Sequence, residues 1–169
     1  RTVSTDVYPI GIDVDLVQAL AKAPSWTDSA TPIEPVNGPD TIISVDRLDY
    51  TKGLAYRLRT LDTLLRSYPT LHGQTTYVQI APSTRGDIHD YQVMREELES
   101  LAGQINGQFA TPGWSPVVYM NRAFPAGQLM RMLRRARVGF IAPLRDGMNL
   151  VAKEYIAAQD PADPGVLVL

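Results

Sequence analysis

The chain has 169 residues, 44% of them hydrophobic, with a formal net charge of −2 and no cysteine. That charge argues against an electrostatic nucleic-acid binder, and no apolar run approaches the ~20 residues that a membrane-spanning helix needs. Without thiols there are no disulfides, no thiolate chemistry and no Cys-type zinc site, which fits a reducing cytoplasm.

The length suits one domain with a short neighbour. Residues 1–22 read as the end of an upstream unit. They hold a short helix opened by Asp13 as N-cap, with Asp15 in its first turn and Val14, Val17, Leu20 and Ala21 as its apolar face. The Asp-x-Asp pair formed by Asp13 and Asp15 could also signal metal binding, but a capping role explains it more simply. Residues 23–40 are rich in Pro, Ser, Thr, Asn and Gly and read as a linker or long loop.

From residue 41 the pattern becomes regular. Strands are expected at 41–45, 75–80, 117–120, 138–142 and 165–169, and helices at 54–68, 88–105, 126–136 and 150–158. Strands alternating with helices imply an α/β fold, a Rossmann-like parallel sheet with helices on both faces. A final strand with no helix after it implies that the fold is truncated. In such sheets ligands bind beyond the carboxyl ends of the strands, so the chemistry is expected in the segments that follow each one.

The segment after the first strand is DRLDYTKG (46–53). It sets Arg47 and Lys52 at the start of a helix, a pairing of cations with a helix N-terminus that suits phosphate. The competing reading is simple ion pairing with Asp46 and Asp49. Neither the Gly-rich nicotinamide fingerprint nor a P-loop is present. After the second strand Arg85 stands at the same edge, beside Ser83, Thr84 and Asp87 as candidate caps for the next helix. After the third strand comes Phe124, which either stacks on a base or sugar or joins the core. The fourth crossover, PLRDGMNLVAKE (143–154), is the densest. Asp146 and Gly147 make a turn, and backbone N–H groups from Asn149 to Ala152 open a helix that can hold phosphate. Glu154 lies one turn further in, placed to accept hydrogen bonds from vicinal hydroxyls, and Lys153 adds a charge. His72 and His89 lie in polar, turn-like sequence and read as solvated residues.

These motifs resemble the trehalose-6-phosphate synthase family of retaining glycosyltransferases. The resemblance rests on VDRLDYTKGL (45–54), QIAPSTRGD (79–87), GQING (103–107) and LRDGMNLVAKEY (144–155), with YPIGI (8–12) and DPADPGVLVL (160–169) in support. It implies a GT-B enzyme of two Rossmann-like lobes, of which residues 41–169 would be the UDP-sugar-binding one. The companion N-terminal lobe would carry a glycine loop and most acceptor contacts. The implied reaction moves glucose from UDP-glucose to glucose 6-phosphate with retention and needs no metal or other cofactor. Arg47 and Lys52 match the diphosphate-binding pair, Phe124 a position near the uracil, and Arg85 a contact to the acceptor's phosphate. Asp146, Gly147, Met148 and Asn149 match the donor-glucose loop, and Leu150, Val151, Ala152, Lys153 and Glu154 the diphosphate and ribose segment. Asp146, Arg47 and Lys52 are the expected catalytic set. The resemblance leaves room for a homo-oligomer of the full enzyme. The alternatives are a relative with another phosphorylated acceptor, of the glucosylglycerol-phosphate or validoxylamine-phosphate type, and a non-catalytic UDP-sugar-binding module.

Overall fold

The computed structural model describes residues 3–6, 9–23, 40–83 and 89–169. Asp13 caps helix α1 (Val14–Lys22), its Oδ1 accepting from the Leu16 N–H at 3.0 Å. The sequence then alternates through β1 (Asp40–Val45), α2 (Leu54–Ser67), β2 (Thr75–Ile80), α3 (His89–Phe109), β3 (Val117–Met120), α4 (Ala126–Arg135), β4 (Val138–Phe140), α5 (Leu150–Ala158) and β5 (Val166–Val168). All five strands are parallel, in the order β3-β2-β1-β4-β5. Every element expected from residue 41 onward is present, and most bounds shift by a residue or two. β1 takes in Asp40, whose N–H bonds the Gln74 carbonyl. α3 runs on to Phe109, and residues 84–88, with the candidate caps Thr84 and Asp87, lie outside the described residues.

The sheet is covered on both faces because its strands alternate in direction of side chain. Ile43, Val45, Val78 and Ile80 pack with Met130, Leu133, Ile141 and Tyr155 on one face, where α1 contributes Val17 and Ala21 and packs against α4 and α5. Tyr77 and Val117 pack with Leu54, Leu58, Leu61, Leu65, Leu98 and Ile105 of α2 and α3 on the other. β2 is buried throughout although it carries Thr75, Thr76 and Gln79. Most of its buried polar groups find partners, though Gln79 Nε2 has none among the described residues. Trp114 Nε1 donates to the Thr75 carbonyl at 3.1 Å, and Tyr77 donates its hydroxyl to Gln79 Oε1 at 2.5 Å.

Two devices close the sheet locally. Asn106, in the GQING segment of α3, brackets Val117 with both ends of its amide, donating to the carbonyl and accepting from the N–H at 2.9 Å each. It thereby pins the start of the edge strand β3. Tyr155 of α5 lies over Gly139, where an added Cβ would come within 2.8 Å of the ring. His72 is exposed, as expected, but it is not without partners. Its Nε2 lies 2.9 Å from the Leu65 carbonyl, at the end of α2, and its ring stacks near Trp114.

The strand order places the reversal of chain direction between β1 and β4, which are neighbours in space but far apart in sequence. The connections from β1 and from β4 leave in opposite directions from that point and open a crevice between them.

Candidate functional site

The site is built where the segments after β1 and β4 meet. Asp46 continues β1 by one residue, its N–H bonding the Ile80 carbonyl at 3.1 Å. Asp49 then caps a short 3-10 turn, Tyr50–Lys52, accepting from the Thr51 N–H at 2.8 Å and the Thr51 hydroxyl at 2.7 Å. Burial pushes the Asp49 carboxyl up. The two Thr51 bonds, with Arg47 and Lys52 nearby, more than offset it and hold the group below its ordinary value. Gly53 turns the chain into α2 with φ +65°, a conformation that side chains rarely adopt. A Cβ there would also press on the Leu144 side chain at 3.0 Å. No side chain caps the N-terminus of α2, so its first N–H groups are left for solvent or a ligand.

The β4 segment docks onto this turn. The Arg145 N–H donates to the Thr51 carbonyl at 3.0 Å, and Asp146 Oδ2 receives Lys52 Nζ at 2.5 Å. The remaining bonds of Asp146 are local, from the Gly147 N–H at 3.0 Å to Oδ1 and from Asn149 Nδ2 at 2.9 Å to Oδ2. The Lys52 bond, with help from Gly147 and Asn149, holds the Asp146 carboxyl below its ordinary value. Lys52 is 3.7 Å from Asp46. The ion pair with Asp46 considered from sequence is therefore present, and a closer one across the crevice is added to it. Arg47 is exposed and makes no ion pair among the described residues.

Asn149 caps α5, its Oδ1 accepting from the Ala152 N–H at 3.1 Å. This corrects one expectation: Ala152 cannot offer its N–H to phosphate while Asn149 holds it. The first-turn N–H groups of Leu150 and Val151 have no partner within the helix. Lys153 donates to the Ile10 carbonyl at 2.6 Å, and Met148 Sδ accepts from the Ile10 N–H at 3.1 Å. Both side chains thus tie the loop to the segment ahead of α1. Glu154 is half-buried and makes no ion pair among the described residues; burial raises its pKa. Phe124 is partly buried against the core, with the Arg122 guanidinium 4.8 Å from its ring centre. Arg85 lies outside the described residues.

A cavity of about 540 Å³, lined by Lys22, Arg134, Arg137 and Asp160 among others, opens at the opposite end of the sheet. It is far from this crevice. Its basic side chains stand mainly at the C-terminal ends of α1 and α4, where cations complement the helix dipole.

The family model for glycosyltransferase family 20 matches residues 1–169. The chain belongs to glycosyltransferase family 20. A trehalose-6-phosphate synthase of Klebsiella pneumoniae subsp. pneumoniae is 52% identical over the whole chain, which covers 36% of that relative. One of Enterobacter sp. is 50% identical, again over the whole chain and 36% of its own length. Among solved structures, the E. coli protein bound with UDP-2-fluoro glucose superposes with a TM-score of 0.90 at 49% identity, over 97% of this chain and 36% of that one. An alpha,alpha-trehalose-phosphate synthase (UDP-forming) from Burkholderia xenovorans in complex with glucose-6-phosphate superposes at 0.88 and 45% identity, over 96% of this chain and 36% of that one. The chain thus spans about a third of the length of these family-20 relatives and adopts one lobe of their GT-B fold.

Within this family-20 lobe, sequence reasoning missed the group that holds the crevice from behind. Arg57 on α2 is 1% exposed. Its Nη1 lies 2.7 Å from Asp46 Oδ2, a contact without an aligned N–H, and donates to the Ser44 hydroxyl. Its Nη2 donates to the Lys52 carbonyl at 2.8 Å, and Nε to the Ala142 carbonyl at 3.4 Å. Burial raises the Asp46 pKa in spite of Arg57 and Lys52. A signal was present in the sequence: Arg57 sits one residue before Leu58, between Leu54 and Leu61 on the buried face of α2. A cation in that position demands a buried anion.

Proposed function

We propose that this chain is the donor-binding lobe of a retaining glucosyltransferase that moves glucose from UDP-glucose to glucose 6-phosphate, giving trehalose 6-phosphate. The observation that carries the reading is the Lys52–Asp146 pair at the β1/β4 crevice, beside an uncapped helix N-terminus and the exposed Arg47. That is a cationic seat for a diphosphate set against a carboxylate for a sugar. The names of the family-20 relatives support the trehalose-forming acceptor over other phosphorylated acceptors. Residues 1–22 are, in this reading, the connection arriving from the N-terminal lobe, 23–40 the linker, and 41–169 the donor lobe.

The chemistry follows from charge. The acceptor's hydroxyl attacks the anomeric carbon on the face from which UDP departs, the C1–O bond to the diphosphate breaks, and the hydroxyl proton passes to the leaving phosphate oxygen. Negative charge grows on the diphosphate as it leaves, and Arg47, Lys52 and the N-terminus of α2 meet it there. Lys52 begins on Asp146. As its ammonium turns to the phosphate oxygens, the Asp146 carboxylate is released to accept from the glucose hydroxyls and orient the ring. Leu150 and Val151 offer N–H groups at the start of α5. Glu154, without an ion pair among the described residues, receives the ribose hydroxyls, and Phe124 lies by the uracil. Arg85 meets the acceptor's phosphate. The cations do the work a divalent metal does elsewhere, so the reaction proceeds without one.

The test is product analysis on the full-length protein with UDP-glucose and glucose 6-phosphate. Trehalose 6-phosphate with both anomeric centres α is the expected product. Absence of turnover with intact UDP binding would instead identify a non-catalytic sugar-nucleotide module.

A further inference from the structure

We infer that Arg57 is a positioning residue for donor binding: from inside the fold it sets where the Lys52 ammonium stands. The inference rests on the reading of Lys52 as a diphosphate ligand. Arg57 cannot itself reach a ligand, since it is 1% exposed and its guanidinium is spent on four protein groups. Those groups belong to the segments that build the crevice. Ser44 and Asp46 are the end of β1, the Lys52 carbonyl is the turn before α2, and the Ala142 carbonyl follows β4 and leads into the Asp146 loop. A planar fork with fixed donor directions holds three backbone segments in one geometry, which a lysine with its single ammonium cannot do. The guanidinium charge also lies 2.7 Å from Asp46 Oδ2. Lys52 stands 3.7 Å from Asp46 Oδ1 but 2.5 Å from Asp146, on the crevice side.

A buried arginine of purely structural worth would give the same static picture, so the test must separate the two. The discriminating measurement is a double-mutant cycle on UDP affinity, by calorimetry on the full-length protein. Lys52→Ala removes a charge-assisted bond and is expected to weaken UDP about tenfold. Arg57→Lys keeps the charge beside Asp46 but gives up the fork, and is expected to weaken UDP by roughly fivefold to tenfold. If Arg57 acts through Lys52, adding Arg57→Lys to Lys52→Ala changes affinity by less than about twofold, because the group being positioned is gone. Effects that multiply in the double variant overturn the inference, as does an Arg57→Lys variant with unchanged affinity. If Lys52→Ala leaves UDP affinity unchanged, both the inference and the diphosphate reading of Lys52 fall. Should Arg57→Lys not fold, Ser44→Ala, which loosens one prong of the fork, is carried through the same cycle. A loss there that vanishes in the Lys52→Ala background supports the inference, and a multiplicative loss or none at all overturns it.

Discussion

Asp146→Asn separates the two roles assigned to the crevice. The substitution keeps the size of the side chain and one of its two local bonds, that from the Gly147 N–H, but puts an NH2 donor where Asn149 and Lys52 now donate and removes the charge that Lys52 meets at 2.5 Å. The side chains of that pair are only 14% and 19% exposed. The pair is therefore worth more than a fully solvated one, which contributes about 0–1 kcal/mol, and less than the ~1.5–3 kcal/mol of a well-shielded charged hydrogen bond. A value of about 1 kcal/mol is a reasonable midpoint between these limits. UDP must break that pair to recruit Lys52, so removing it should leave UDP affinity unchanged or tighten it, by up to about fivefold. Turnover behaves differently. The carboxylate's bonds to the glucose hydroxyls are lost as the ring flattens and gains positive charge, at about 1.5–3 kcal/mol, so kcat falls by roughly ten- to hundredfold. Calorimetry with UDP and initial rates with saturating UDP-glucose, both on the full-length protein, read the two quantities separately. UDP affinity that falls in step with kcat would show that Asp146 serves the nucleotide end or the folding of the loop, and would refute the division of labour.

Arg47→Ala is expected to cut kcat/KM about tenfold or more, since Arg47 has no ion pair among the described residues to explain its place; unchanged steady-state kinetics would reduce it to a surface charge. Turnover of the full-length protein should survive EDTA undiminished, and loss of rate on chelation with recovery on adding magnesium would assign the diphosphate to a metal instead. Gly139→Ala sets a methyl 2.8 Å from the Tyr155 ring, an overpacking of about 1–3 kcal/mol that should lower the melting temperature by several degrees. An unshifted melt would mean that α5 moves away at little cost. Finally, Asp146 has a folded-state pKa below its ordinary value of 3.8, so its charge adds stability above that value and the benefit is lost as pH falls through the depressed pKa. The stability difference between the unmodified protein and Asp146→Asn, from urea melts, should be constant near neutrality and shrink on acidification. A difference that grows with acid would reverse the assigned sign.

The order of elements, the parallel sheet and the crevice edge were all legible in the amino-acid sequence. These follow from local periodicity: apolar runs such as Thr41–Val45 and helical repeats such as Leu54, Leu58 and Leu61 carry their own signal. The motifs around Arg47, Lys52 and Asp146 stood out too, although ion pairing and a capped turn each explain part of them cheaply, and the resemblance rather than spacing gave them their roles. What the sequence could not say is who meets whom. Lys52 read equally well as a partner of Asp46 or Asp49, its near neighbours in the chain, and its closest partner proved to be Asp146, 94 residues away. Ala152 looked free until Asn149 was seen to cap it. His72 is exposed as expected, but its bond to the Leu65 carbonyl and its ring contact with Trp114 could not be read from sequence. Arg57 was invisible as anything but an odd residue on an apolar face, because its meaning lies in four partners brought together from three segments. Secondary structure is decided by neighbours in sequence. The pairing of charges is decided by the strand order, which sets β1 beside β4, and only the folded chain brings together the buried Arg57 and the crevice pair Lys52 and Asp146.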